Sequence, residues 1–292
     1  MTSAMEIGQA PRERFPGIAR LIAAQNELPE SQCIHSGEGY EAILQTMLKW
    51  DDVDEIAFAI ATQDGRLVGV LGCEFDQDLG RGWLWGPFAL TQNWEELAAA
   101  LLEKLMALLP PAICRLDFFL NMANQRAYRF YLDHGFRESQ RSHVYVAPRP
   151  AAPLTLSLPA SPLHPEQAGA LRALHDTIFT QTYYTGQDIL DQLDGDHQVF
   201  VCSDGPDVLG YVYAILDESA EGYIEFLGVR EDRRGQGLGR RLLLTALHWL
   251  FETKHVPVVG LTVSDDQTNA RSLYEKVGFR VKYTGLSARK DC

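Results

Sequence analysis

Five arginines, Arg230, Arg233, Arg234, Arg240 and Arg241, fall within twelve residues, interleaved with Gly235, Gly237 and Gly239 and accompanied by only two acids, Glu231 and Asp232. An apolar, strand-like run, Tyr223–Val229, leads into this stretch. Leu242, Leu243, Ala246, Leu247 and Leu250 follow it at helical spacing. The order is therefore strand, glycine-rich turn, helix. The first N–H groups of a helix have no intrahelical acceptor, and together with the positive end of the helix dipole they attract anions. Glycine lets the backbone come close to a phosphate. The stretch suits the holding of a phosphate-bearing ligand. It lacks the G-x-x-x-x-G-K-[ST] pattern, and it fails the dinucleotide pattern G-x-G-x-x-G because Arg240 stands where the third glycine belongs.

Glu225 lies four residues before Val229, so strand alternation places it on one face with Tyr223, Leu227 and Val229. A carboxylate on an apolar strand is costly to bury unless it is paired or used. It suits an anchor or general base for an amine, directly or through water, and equally a plain salt bridge or an exposed edge. Tyr183 and Tyr184 lie in the loop between two expected helices, where they either shape an acceptor pocket or simply pack.

The spacing Arg234-x-x-Gly237-x-Gly239 resembles the acyl-CoA pyrophosphate loop of the GCN5-related N-acetyltransferases (GNAT). Downstream, Ala270-x-x-x-Tyr274-x-x-x-Gly278-Phe279 resembles that family's segment after its fifth strand. The resemblance covers residues 154–285 and, more weakly, 5–148. It implies that backbone groups of Leu227 and Val229 pair with the pantetheine arm of acetyl-CoA. It also implies that the N–H groups from Gly235 through Gln236, Gly237, Leu238 and Gly239 to Arg240 hold the pyrophosphate, with Arg234 adding charge. Tyr274 becomes the general acid that protonates the departing thiolate, since a tyrosine with a pKa of ~10 keeps its proton at neutral pH. A core aromatic on an amphipathic helix is the other reading of Tyr274. The family's usual asparagine precedes the motif alanine by three residues, where this chain has Gln267. Asn269 adjoins that alanine, and either amide could contact pantetheine. Tyr274 and Glu225 are thus the catalytic candidates, and Tyr183, Tyr184 and Tyr223 the substrate-binding ones. The implied activity is acetyl-CoA-dependent transfer to a primary amine of a small molecule or peptide, directly within a ternary complex. A non-catalytic CoA sensor and a nucleotide-binding transferase are the alternatives.

The elements that must position these residues occur twice. Ala127, Tyr131, Gly135 and Phe136 match Ala270, Tyr274, Gly278 and Phe279 at a constant offset of 143. Asp64-Gly65 and Gly82-Trp83-Leu84 match Asp204-Gly205 and Gly222-Tyr223-Ile224 at an offset of 140. Between the copies, residues 147–165 hold six of the fourteen prolines, a linker interrupted by a strand expected at Leu154–Leu158. Two domains follow, 1–150 and 151–292. The fold class is α/β or α+β, and the resemblance makes it two tandem GNAT-like domains, each a mixed, mostly antiparallel sheet flanked by helices. The first copy lacks the arginine-glycine loop and places Glu95 and Glu96 at the equivalent helix start, where they suit the dipole but repel a phosphate. It is expected to bind no CoA and to serve as scaffold, lid or pocket wall. Only one strand's worth of chain follows Gly135 and Gly278, so each copy is expected to take an edge strand from its sister.

The 292 residues are 46% apolar and 22% charged, enough for a core in each half, with a formal charge of −13. The halves carry −7 and −6. That acidity disfavours nucleic acid and anionic membranes as partners, since both need a positive face. The five cysteines show no C-x-x-C spacing, which argues against a zinc site and a disulfide framework. The first four are expected as buried small hydrophobes. With no signal peptide and no ~18-residue apolar run, a cytoplasmic protein is expected. No metal is expected, and oligomeric state stays open, a homodimer included.

Overall fold

The computed structural model describes residues 5–180, 182, 184–217 and 220–291. The chain divides into two compact units, Met1–Ser142 with Tyr283–Cys292, and His143–Lys282.

The first unit comprises β1 (Met5–Gln9), α1 (Phe15–Asn26), α2 (Tyr40–Asp51), β2 (Ile56–Gln63), β3 (Arg66–Asp76), β4 (Arg81–Ala89), α3 (Trp94–Met106), β5 (Arg115–Asn121), α4 (Gln125–Asp133) and the start of β6 (Arg137–Pro148). Asp64 and Gly65, both at positive φ (52° and 73°), make the two-residue turn between β2 and β3. The second unit takes the end of β6, then β7 (Ser161–Pro162), α5 (Ala168–Ile178), α6 (Gly186–Asp191), β8 (His197–Asp204), β9 (Asp207–Leu216), β10 (Gly222–Val229), α7 (Leu238–His248), β11 (Val258–Ser264) and α8 (Thr268–Val277). The final strand, β12 (Arg280–Asp291), pairs antiparallel with β5, from Gly285 opposite Asn121 to Asp291 opposite Arg115.

Each unit has the same strand order: β1-β2-β3-β4-β5-β12 in the first and β7-β8-β9-β10-β11-β6 in the second. β4 pairs parallel with β5 in the first, as β10 does with β11 in the second. Helices cover both faces of the second sheet. Leu242, Leu243, Ala246, Leu247 and Leu250 bury one side of α7 against Val212, Ile224, Val259 and Leu261. Leu171 and Leu174 of α5 and Ile189 of α6 pack with Val199, Val201, Tyr211, Tyr213 and Phe226 on the other. Each fully buried leucine contributes about 1.5–3 kcal/mol relative to exposure.

The units depart from a 150/151 break because the last strand of each repeat does not stay with its own copy. Tyr283–Asp291 completes the first unit along the open edge of β5, and His143–Pro148 lies beside β11. The proline-rich segment 147–165 lies within the second unit, the strand expected at Leu154–Leu158 is absent and the two-residue β7 lies beyond it. Cys33, Cys73 and Cys202 are buried as expected, whereas Cys114 is exposed at the start of β5. Cys292 lies outside the described residues. No helix among the described residues is long and apolar enough to cross a membrane.

Candidate active site

β10 carries a bulge. Ile224 faces Ala214 of β9, yet Phe226 faces Tyr213, so Glu225 is the extra residue. A bulge bends its strand and interrupts pairing. Parallel pairing of β10 with β11 stops at the same place: only Gly222 opposite Val259 and Tyr223 opposite Gly260 remain in register. Beyond Tyr223 the two strands splay apart. The Arg230 N–H donates to the Leu209 carbonyl on β9 at 2.9 Å. Ladder groups alternate along a strand, so the main-chain groups of Leu227 and Val229 point away from β9, into the splay.

The bulge also corrects the face assignment. Ile224, Leu227 and Val229 share the α7 side, while Phe226 lies on the α5 side. The extra residue shifts the alternation by one, so Tyr223 and Glu225 do not share a face with Leu227 and Val229. Burial, and after it the charge of Glu225, raises the phenol pKa values of Tyr213 and Tyr223.

The splay opens onto the arginine-glycine turn. Gly235 (φ +76°) and Gly237 (φ +80°) sit in the left-handed region that disfavours other residues. A Cβ on either would meet nothing within 4 Å, so their requirement is conformational. Gly239 differs: a Cβ there would come within 3.2 Å of Leu273 of α8. Gly237 caps α7 without a side-chain cap. The first main-chain bond at this end runs from Arg241 N–H to the Gly237 carbonyl at 3.1 Å. The N–H groups of residues 235–240 therefore have no acceptor among the described residues.

The five arginines divide by task. Arg230 forks onto Asp232 at 2.6 and 3.0 Å. Arg241 braces the linker through the Pro159 carbonyl at 2.7 and 3.2 Å. Arg234 lies against the open strand edge, its Nε donating to the Val229 carbonyl at 3.2 Å. Arg233 was not singled out by the motif, yet its Nε is buried without a hydrogen bond. Arg240 is exposed. Free amide donors, two left-handed glycines and the neighbouring Arg233, whose Nε lies 3.5 Å from Asp232 Oδ2, suit a pyrophosphate, with the strand edge of Leu227 and Val229 suited to an extended amide-bearing arm.

Tyr274 lies on α8, 8% exposed, with its ring beside Tyr145 and Phe279. Burial pushes its phenol up to about 12. Burial likewise raises the Tyr223 phenol. Tyr223 donates to Thr262 Oγ1 of β11 at 2.8 Å. A polar chain fixes the neighbouring part of α8: Arg271 donates to Asp265 Oδ1 at 2.8 Å, and Tyr145 to Glu275 Oε1 at 2.7 Å. Asn269 is exposed in the first turn of α8. Gln267 is the N-cap, with no side-chain cap bond. In the first unit the equivalent Asn124 does cap, accepting from Ala127 N–H at 3.2 Å.

Tyr184 sits between α5 and α6, its ring 6.4 Å from that of Phe226. It and Glu225 both bear on the Tyr213 phenol. Tyr183 lies outside the described residues. Sequence reasoning missed His175 of α5, which is 0% exposed and touches both Tyr184 and Tyr211. Its only available signal was a lone histidine on an apolar helix face.

The first unit shows the same splay without the site. Pairing of β4 with β5 ends at Trp83 opposite Asp117. Pro87, which has no N–H, stands where Leu227 stands, and fully buried Trp85 takes the place of Glu225. Tyr131, the counterpart of Tyr274, is fully buried and spends its hydroxyl on the Gly86 carbonyl at 2.9 Å. Glu95 and Glu96 occupy the first turn of α3.

Residues 168–279 match the acetyltransferase (GNAT) family model. A 98-residue stretch is 31% identical to mycothiol acetyltransferase of Rhodococcus jostii, covering 32% of each chain. A 73-residue stretch is 34% identical to mycothiol acetyltransferase of Kytococcus sedentarius, covering 25% of this chain and 24% of that one. These matches span a third or less of the relatives' length. Among solved structures, a GCN5-related N-acetyltransferase from Sphaerobacter thermophilus superposes with a TM-score of 0.76 at 20% identity, over 98% of this chain and 95% of that one. A tandem GNAT protein from the clavulanic acid biosynthesis pathway gives 0.67 at 13% identity, over 99% and 98%. The chain therefore has the tandem GNAT fold, and residues 168–279 of its second unit match the acetyltransferase (GNAT) family model.

Proposed function

We propose that the second unit binds acetyl-CoA and transfers its acetyl group directly to a primary amine of a small molecule or peptide, in a ternary complex. The observation that carries this reading is the splay beyond Tyr223, opening onto the unpaired N–H groups of residues 235–240. Leu227 and Val229 offer a strand edge to the pantetheine arm. The N–H groups of Gly235, Gln236, Gly237, Leu238, Gly239 and Arg240 hold the pyrophosphate, and Arg233 and Arg234 add charge. The acetyl thioester supplies the electrophile. Tyr274, kept neutral by burial, holds a proton where a thiolate departs. Glu225 takes the amine's proton, directly or through water, and Tyr223 and Tyr184 flank the acceptor. Asn269 is the weakest of the cofactor assignments, because it stands exposed at the helix start. The first unit takes no CoA: Pro87, Tyr131 and Glu95 remove the strand edge, the acid and the anion site in turn. A cytoplasmic setting and a homodimer are compatible with this activity.

Calorimetric titration with acetyl-CoA, ATP and NAD tests the ligand. Thiol release with D-glucosamine, L-lysine and spermidine tests the transfer. Binding of acetyl-CoA alone with turnover of an amine is expected. Binding without turnover across an extended amine panel would favour a CoA sensor, and competition by ATP or NAD would overturn the reading.

A further inference from the structure

We infer that His175 is a positioning residue for the acceptor end of this site, because it clamps the Tyr184 backbone to β9 beside the Glu225 bulge. The inference rests on the acetyl-transfer reading above. His175 Nε2 lies 2.9 Å from the Tyr184 carbonyl oxygen. A carbonyl only accepts, so Nε2 carries a proton and donates to it. Its Nδ1 lies 2.6 Å from the Tyr211 hydroxyl. Burial raises the Tyr211 phenol and keeps it a donor. The ring is held edge-on against Phe226, centroids 4.8 Å apart, and tilted against Phe179 at 5.2 Å. One imidazole therefore joins three elements: α5, which carries it, β9 through Tyr211, and the loop entering α6 through Tyr184.

Two glycines make room for the clamp. A Cβ on Gly228 of β10 would lie 2.8 Å from the Tyr211 ring. A Cβ on Gly186 would lie 2.6 Å from Arg172 Cα of α5. Gly186 N–H is also tied to α5, donating to Asp176 Oδ1 at 2.7 Å. The next residue after Tyr184, Thr185, opens α6 in a reciprocal cap with Asp188. The exit of the α5–α6 loop is thus fixed at consecutive points, and His175 holds the one nearest the bulge. Phe226, against which the imidazole packs, follows Glu225 directly. Loss of the clamp frees Tyr184 from its place near Glu225 without touching the arginine-glycine turn, on the other side of the sheet. It should therefore weaken the acceptor and spare the cofactor.

The test uses the full chain as wild type, His175→Leu and Tyr211→Phe. Each is digested with limiting chymotrypsin, reading cleavage after Tyr184. Each is also assayed for the KM of acetyl-CoA and the KM of whichever of glucosamine, lysine and spermidine turns over fastest. In His175→Leu, cleavage is expected to rise about tenfold and the amine KM to rise about tenfold, the loss of one buried hydrogen-bonded anchor. The acetyl-CoA KM should stay within about twofold and kcat should fall less than the amine KM rises. Tyr211→Phe keeps the imidazole and removes one partner. It should move both readouts the same way by a smaller factor, and it decides the matter if His175→Leu does not fold. Unchanged cleavage, or equal losses for amine and acetyl-CoA, would overturn the inference. If the wild type neither binds acetyl-CoA nor acts on any amine, the acceptor role falls with the transfer reading, and the cleavage rate still judges the clamp.

Discussion

Replacing Gly237 with alanine isolates one property of the arginine-glycine turn. Gly237 caps α7 at φ +80°, ψ 0°, and an added Cβ has open space around it. Crowding therefore plays no part, and alanine adds only the cost of a left-handed conformation, about 1–2 kcal/mol. Where that cost falls follows from the surroundings. Residues 234–237 are exposed, and the N–H groups of 235–240 are bonded to nothing else in the described protein. The free loop is thus able to relax to negative φ. A pyrophosphate held by the N–H groups of Leu238, Gly239 and Arg240 forces Gly237 back, so the strain appears on binding. At about 1.4 kcal/mol per factor of ten, the Kd for acetyl-CoA should rise about 5–30-fold. The melting temperature of the free protein should not move. Gly237→Asn, which tolerates left-handed φ better, should recover part of the loss. Calorimetric titration of the three proteins gives the comparison. An unchanged Kd with an unchanged melting temperature in Gly237→Ala would refute the anion-holding role, and a lowered melting temperature with unchanged Kd would refute the relaxed free loop.

Four further outcomes are expected. Tyr274→Phe should lower kcat by about a hundredfold. Because the Tyr274 phenol is pushed up to about 12, the ratio of wild-type to variant kcat should be flat from about pH 6 to 9, and a ratio falling toward pH 9 would show a phenol titrating in that range. Burial also raises Tyr131, Tyr211 and Tyr223. Unfolded phenols ionise near pH ~10 and folded ones only above it, so stability is fully present below about pH 10 and is lost as pH rises beyond it. Urea midpoints measured at about pH 8 and 10.5 should fall in that order, and equal midpoints would contradict the burial of these hydroxyls. Gly228→Val drives a side chain into Tyr211, Ile178 and Phe179 and should cost about 1–3 kcal/mol in urea unfolding. Truncation after Lys282 strips β5 of its partner and removes buried Leu286 and Ala288. Hydrogen exchange should then quicken across Arg115–Asn121 while Val258–Ser264 stays protected, and retained protection of β5 would show that β12 is dispensable.

The first unit differs from the second at the positions that the proposed site would use. Its splay persists, so the backbone geometry alone is insufficient. Pro87 has no N–H to offer, the Tyr131 hydroxyl is committed to Gly86, and Glu95 at the helix start is itself paired with Arg126 at 2.9 Å. A tyrosine bonded to a main-chain carbonyl is a strut. The equivalent Tyr274 forms no such bond among the described residues, and its ring lies beside Tyr145 and Phe279.

What the sequence determined by itself is local. The Asp-Gly turn, the amphipathic run into α7 and the left-handed demand at Gly235 and Gly237 each depend on residues within a few positions of one another. The duplication was legible because the two copies repeat at nearly constant offsets. The arginine cluster pointed to an anion, although it could not separate Arg230 and Arg241, which hydrogen-bond within the protein, from Arg233, whose Nε makes only a 3.5 Å ion pair with Asp232. Tertiary structure decided the rest. One extra residue at Glu225 shifts the alternation of β10, and that appears only against the register of β9. The clamp at His175 needs Tyr211 and Tyr184, thirty-six and nine residues away. The last strand of the chain completes the sheet of the first unit, because β5 presents an open edge that no neighbour in sequence fills. Hydrogen-bond partners across a sheet are chosen by edges brought together in space, and no window of sequence contains both.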